Sequence, residues 1–142
     1  MTRFLLDTNI PSELTRPVPE PRLVQWLDAA DDETLFLSVI SLAEIRKGLR
    51  TMEPGQRRTG IVEWVDGVLL PWFDSRILPV TKSIAERWGD VAGAAQLQGV
   101  AVGMADGLIA VTALEMDLVV VTRNTRHFEG LGVRVCNPWL GS

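Results

Sequence analysis

Residues 118–122 read Leu-Val-Val-Val-Thr. This run does not alternate between polar and apolar residues, so it has no solvent face. A β-branched stretch of this kind suits a strand covered on both sides, as in the middle of a parallel sheet. It therefore requires helices on both faces of the sheet and parallel neighbours on each side. The rest of the chain supplies the matching pattern. Strands are expected at Arg3 to Leu6, Leu35 to Val39, Ile77 to Val80 and Arg134 to Cys136. Between them lie helical stretches. Asn9 and Pro11 suit a helix start, as cap and first-turn residue. "TRPVPEP", residues 15–21, breaks the chain. Arg22 to Ala30 then places Leu23, Trp26, Leu27 and Ala30 on one face. Helices follow at Ser41 to Thr51, Gln56 to Leu70 (ended by Pro71), Lys82 to Gln98 (closed by Gly99) and Ala105 to Met116. The expectation is an α/β fold, a three-layer α/β/α sandwich on a mainly parallel sheet, as one domain over residues 1–142.

Bulk properties narrow the function. The chain is 46% hydrophobic and 23% charged, which suits a globular core rather than disorder. No repeat or low-complexity segment interrupts it. The N-terminal apolar stretch is too short for a signal core or a membrane span, which predicts a cytoplasmic protein away from the membrane. Cys136, the single cysteine, forms no internal disulfide and reads as a small core residue of a late strand. A net charge of −4 argues against holding nucleic acid by bulk electrostatics. Such contact needs a local basic patch or a bridging cation.

In parallel sheets, functional groups collect at the carboxyl ends of the strands. Asp7 stands at such an end, where a helix-capping role competes with a ligand role. Glu44 lies in "SLAEIRKG", where Ser41 and Glu44 also fit a capping box. Asp106 opens "ADGLIAVTAL", in the first turn of a helix whose next residues are nearly all apolar. Its plain reading is an acid favoured by the helix dipole. Asn124 reads as a turn residue, and His127, the only histidine, as a surface or packing residue. Three acids at strand ends and helix starts converge on one side of the sheet. Such a cluster stays ionised only beside a cation. Oxygen-only ligands suit Mg²⁺, with Mn²⁺ able to substitute, rather than Zn²⁺.

Four stretches in order, "FLLDTNIPSEL" (4–14), "SLAEIRKG" (41–48), "ADGLIAVTAL" (105–114) and "LVVVTRNTRHFEGLGV" (118–133), resemble the PIN-domain ribonucleases. The resemblance is to the toxin of bacterial toxin–antitoxin pairs of the VapBC and FitAB type. It implies a metal site of Asp7, Glu44 and Asp106, with Thr8, Asn9 and Thr122 orienting the acids or bound water. Asp7 and Asp106 would ligate directly, and Glu44 directly or through water. The family's fourth acid, in a T-x-D pattern, is replaced here by Asn124, and His127 stands where relatives carry an acid. The implied reaction is metal-assisted hydrolysis of RNA. Arg46, Arg50 and Arg123, with Arg126, form a basic rim for phosphates, whereas Lys47 reads as solvated.

The resemblance also implies a homodimer and a cognate antitoxin laid over an apolar groove, with Trp64, Val68, Trp72 and Phe73 as candidates for that face. Two other Mg²⁺ classes fit poorly. A haloacid-dehalogenase-type phosphatase needs an acid at position 9, which is Asn, and a phosphoacceptor domain needs paired acids and a late lysine. A non-catalytic PIN-fold module that mainly binds an antitoxin remains the alternative, with Asn124 as its foothold.

Overall fold

The computed structural model describes residues 1–141. Five strands, β1 (Phe4–Leu6), β2 (Leu35–Ser38), β3 (Ile77–Leu78), β4 (Val119–Val121) and β5 (Val135–Cys136), form one sheet in the order β3-β2-β1-β4-β5. Every pairing is parallel. The chain winds outward from β1 through β2 to β3, then returns to place β4 on the other side of β1. The strand order therefore switches between β1 and β4. In an open parallel sheet that is where a crevice opens at the carboxyl ends.

The strand period of two divides the central side chains between two cores. Leu6, Leu35, Leu37 and Val121 point to one face. There they meet Leu23 and Leu27 of α2 (Pro21–Ala29), Leu49 of α3 (Val39–Thr51) and Phe73 of α5 (Leu70–Phe73). Leu5, Leu118 and Val120 meet Ile109, Ala110 and Ala113 of α7 (Met104–Met116) on the opposite face. Behind α7 lies α6 (Lys82–Leu97), with Ile84 packed among Leu108 and Val111. This is the expected three-layer sandwich. Residues Gly107 to Ala113 are buried without a break, so α7 is covered on nearly all sides, as its apolar run requires.

Three local expectations are corrected. The first concerns the helix carrying Glu44, which starts at Val39 rather than Ser41. Ser38, the last residue of β2, caps it by accepting the Ile40 N–H at 3.0 Å. Ser41 lies inside the helix and is fully buried. The capping box therefore does not form, and Glu44 is released from backbone duty. The second concerns Asn9. Ile10 N–H is satisfied by the Asp7 carbonyl at 2.9 Å rather than by an Asn9 side-chain cap. Asn9 is the first residue of α1 (Asn9–Leu14), and its amide turns elsewhere. The third concerns Pro71, which does not end its helix. After α4 (Gln56–Trp64) the chain makes one π turn over Val65–Leu69 and continues as α5. The wider turn removes the clash a proline ring meets in a regular helix, and Pro71 falls in the first turn of α5, where no N–H is needed.

One helix contact is unusually tight. A Cβ built on Gly107 would stand 2.6 Å from Nε1 of Trp88 on α6. Glycine at this position, next to Asp106, lets the two helices close on each other. Gly107→Ala is expected to displace the indole and destabilise the protein by about 1–3 kcal/mol. A thermal melt of the variant checks this, and an unchanged Tm would show that Trp88 moves without cost.

Candidate active site

Asp7 follows β1 directly. The pairing of Leu6 with Val121 carries one residue further, where the Asp7 N–H donates to the Val121 carbonyl at 2.9 Å. Asp7 and Thr122 thus emerge side by side at the switch point of the sheet. The side chain of Asp7 is 4% exposed, and its oxygens are held by three donors. Thr8 N–H donates to Oδ1 at 2.8 Å. Thr122 Oγ1 donates to Oδ2 at 2.8 Å, and Asn9 Nδ2 approaches Oδ2 at 3.2 Å.

Thr122 is itself pinned. It is fully buried and accepts the Asn124 N–H at 2.9 Å, with Asn9 Nδ2 3.1 Å away. Asn9 completes the knot by accepting the Arg123 N–H at 3.2 Å. Asn124 therefore supports the site through its backbone, while its side chain is exposed.

Glu44 and Asp106 reach the site from opposite layers. Thr8 Oγ1 donates to Glu44 Oε1 at 2.5 Å and lies 3.0 Å from the Ser41 hydroxyl. One threonine, placed between two acids, thus contacts Asp7 through its backbone and Glu44 through its side chain. Asp106, in the first turn of α7, lies 3.1 Å from Nδ1 of His127. From sequence alone His127 reads as a surface or packing residue. Its ring is half exposed but tied to a site carboxylate, and only the tertiary fold brings residues 106 and 127 together.

Burial is the largest influence on Asp7 and pushes its carboxyl above the ordinary range. The Thr122 hydroxyl and the Thr8 N–H pull it back, and the charges of Asp106 and Glu44 push it up again. Asp106 and Glu44 are therefore both near enough to act on Asp7. Among the described residues, no three His, Cys, Asp or Glu side chains are arranged so that they could together hold a metal ion. Their oxygens instead rest on Thr8, Asn9, Thr122 and His127. The donor set still suits a hard divalent cation. It is all oxygen, the charges of Asp106 and Glu44 raise the cost of ionising Asp7, and Mg²⁺ needs only one or two direct carboxylates while keeping its waters.

The basic rim is unevenly engaged. Arg46 is paired with Asp66 at 2.5 Å, whereas Arg50 and Arg126 stand exposed. Arg123 rests its guanidinium 5.7 Å from the centre of the Trp139 ring. Of the expected apolar face, Phe73 is core, Trp72 donates to Asp32 and Val68 is exposed. Trp64 does line an apolar groove, with Pro11, Ile45, Leu49, Met52 and Ile61, and Glu44 lies in its wall. Sequence reasoning missed Glu13, a buried carboxylate that accepts the Glu20 N–H at 3.0 Å and holds the 15–20 loop. It is the next-to-last residue of α1, and its neighbours Ser12 and Leu14 give no signal of its burial.

A family profile described as the PIN domain matches residues 4–132. A VapC ribonuclease of Sinorhizobium fredii is 40% identical over 96% of this chain and 97% of its own length. Toxin FitB of Neisseria gonorrhoeae is 39% identical over 96% and 98%. The crystal structure of FitAcB from Neisseria gonorrhoeae superposes with a TM-score of 0.88 at 39% identity, covering 96% of this chain and 98% of that one.

The raised Asp7 carboxyl has a consequence for stability. An acid whose folded value lies above its unfolded one binds its proton more tightly in the folded state. Stability therefore falls as pH rises through the interval between the two values, and the deficit persists at neutral pH. Without divalent metal, Asp7→Asn is expected to melt higher than the wild type, by a margin that widens from about pH 4 to about pH 8. Melts in EDTA check this, and a margin that narrows with pH would mean Asp7 is not strained by its charge.

Proposed function

We propose that this chain, which belongs to the PIN domain family, is a Mg²⁺-dependent endoribonuclease and the toxin of a toxin–antitoxin pair. The observation that supports this most is the buried Asp7 at the sheet's switch point, held by Thr122, Asn9 and Thr8 while Glu44 and Asp106 press their charge on it. A fold tolerates such a group where it serves a cation. The ribonuclease and toxin names of the relatives supply the substrate class and the biological role.

In this reading Asp7 and Asp106 hold the ion directly, and Glu44 does so directly or through a water. When bound, the ion supplies Lewis-acid activation of a water and of the RNA phosphate. The protein supplies the rest. Thr122 and Asn9 fix the rotamer of Asp7, so its oxygens need no reorganisation on binding. Thr8 aims Glu44, and His127 holds Asp106 at the cleft edge. Arg123, Arg126 and Arg50 would supply the cations that meet phosphates beside the cut. Arg46 joins them only if it leaves Asp66.

The partners follow the same logic. The groove over Trp64, Ile45 and Leu49 runs beside Glu44 and suits an apolar antitoxin segment that blocks the site when seated. The protein acts as a homodimer in the cytoplasm, where RNA and antitoxin meet. No helix among the described residues is long and apolar enough to cross a membrane.

The test is cleavage of a mixed RNA pool by wild type and Asp106→Ala with Mg²⁺, with Mn²⁺ and with EDTA. Both ions are expected to support cutting, EDTA to stop it, and the substitution to lower the rate by about 100-fold or more, the scale of removing one well-placed electrostatic group. Metal-independent cutting, or full activity in Asp106→Ala, would sink the assignment. A folded wild type that cuts nothing would point to the binding-module reading.

A further inference from the structure

A second cleft opens on the other side of Asp106 from the antitoxin groove. It lies between the α6–α7 connection, residues 98–103, and the turn that follows β4. Its volume is about 530 Å³. Val100, Val102 and Leu131 form apolar walls, Asp106 stands in its lining, and Arg126 and His127 share the rim. Gln98 and Glu129 add two neutral or acidic polar groups to the same lining. Val100 is 55% exposed, an apolar side chain left uncovered within reach of a candidate catalytic carboxylate.

We infer that this cleft is a nucleobase subsite that selects the nucleotide next to the scissile phosphate, with guanine as the preferred base. The inference rests on the ribonuclease reading of the Asp7–Asp106 site. Its volume falls in the range of small-ligand pockets, roughly 300–1,000 Å³, and suits one unstacked nucleotide. A paired base stays within its helix and cannot enter a recess of this kind, so the substrate must be unpaired here. The walls offer apolar surface to the flat faces of a base. Arg126, on the rim beside Asp106, sits where the strand's phosphate passes.

The choice of base comes from Glu129 and Gln98. A carboxylate accepts two hydrogen bonds side by side. Guanine presents two adjacent donors, N1–H and the N2 amino group, on its Watson–Crick edge. Adenine, cytosine and uracil each present one donor there. The Gln98 amide then matches guanine O6. Among the described residues no ion pair or side-chain hydrogen bond engages Gln98, Arg126 or Glu129, in contrast to Arg46, which is already paired with Asp66. The lining glycines leave the rim open. A Cβ at Gly103 or Gly130 would meet nothing within 4 Å.

Two measurements test this separately from the nuclease assignment. In the first, wild type and Glu129→Gln cut a random-sequence RNA library with Mg²⁺ or Mn²⁺, and the new ends are sequenced. Guanine is expected at one position flanking the cut, with its preference reduced by about tenfold in Glu129→Gln, the size of losing one two-point base contact. In the second, the Asp7→Asn protein in EDTA binds fluorescent five-nucleotide RNAs that differ only in a central guanine or adenine. The guanine RNA is expected to bind about tenfold tighter, and Glu129→Gln on that background is expected to erase the difference. An identical cleavage spectrum for wild type and Glu129→Gln, or equal binding of the two oligonucleotides, overturns the subsite. A wild type that cuts no RNA, with the guanine preference in binding intact, overturns the nuclease reading and leaves the subsite standing.

Discussion

The arrangement depends on one hydrogen bond, from the Thr122 hydroxyl to the Asp7 carboxylate, made across the gap where the strand order reverses. β1 and β4 are far apart in sequence, and their parallel register is set by buried Leu5, Leu6, Val120 and Val121. A slip of one residue would turn every one of these side chains to the wrong face. Two hydrophobic cores therefore hold the register, and the register places a carboxylate beside a hydroxyl. Asn9 then ties both to the turn after β4 through its amide. The polar knot rests on the apolar layers that fix this register.

Each of the three acids is supported by a different part of the fold, and none supports another. Asp7 belongs to the sheet, Glu44 to the helix layer that carries α3, and Asp106 to the opposite layer through α7. Their convergence costs stability, since burial and mutual repulsion both oppose the charge on Asp7. Nothing in the packing of a structural protein calls for that cost. Where it is borne beside a crevice, a function that needs concentrated negative charge is the physical explanation. The tight seat of Trp88 against Gly107 serves the same end, because it draws α6 close to the first turn of α7, where Asp106 projects.

The clefts flanking the acids differ in chemistry. One is an apolar groove under Trp64, reached from the Glu44 side. The other joins apolar walls to Arg126, His127 and Glu129, reached from the Asp106 side. The two sides are distinct because the body of α3 packs into one core through Ile45 and Leu49 and α7 into the other, the helices touching only where Ile40, in the first turn of α3, reaches α7. A segment that covers one groove and a strand that threads the other can therefore meet at the same carboxylates.

Much of this was legible in the chain itself, for local reasons. The uninterrupted Leu118–Val121 run specified a central strand. The alternation of strand and helix specified a parallel sheet, and therefore which strand ends carry chemistry. That put Asp7 and Thr122 at the carboxyl ends of β1 and β4, where the structure has them, and the ordered motifs added Glu44 and Asp106 as candidates. What stayed hidden depended on contacts between distant residues. Ser41 fits a capping box in the sequence, and only the end of β2 at Ser38 shows that the helix begins earlier, at Val39. His127 meets Asp106 because the turn after β4 packs on α7, and Arg46 meets Asp66 because the helix after α3 folds back against it. Periodicity and motif are properties of neighbouring residues, so the sequence determined the layers and the acids. Which donor holds each acid depends on the three-dimensional register, and only the tertiary structure decided it.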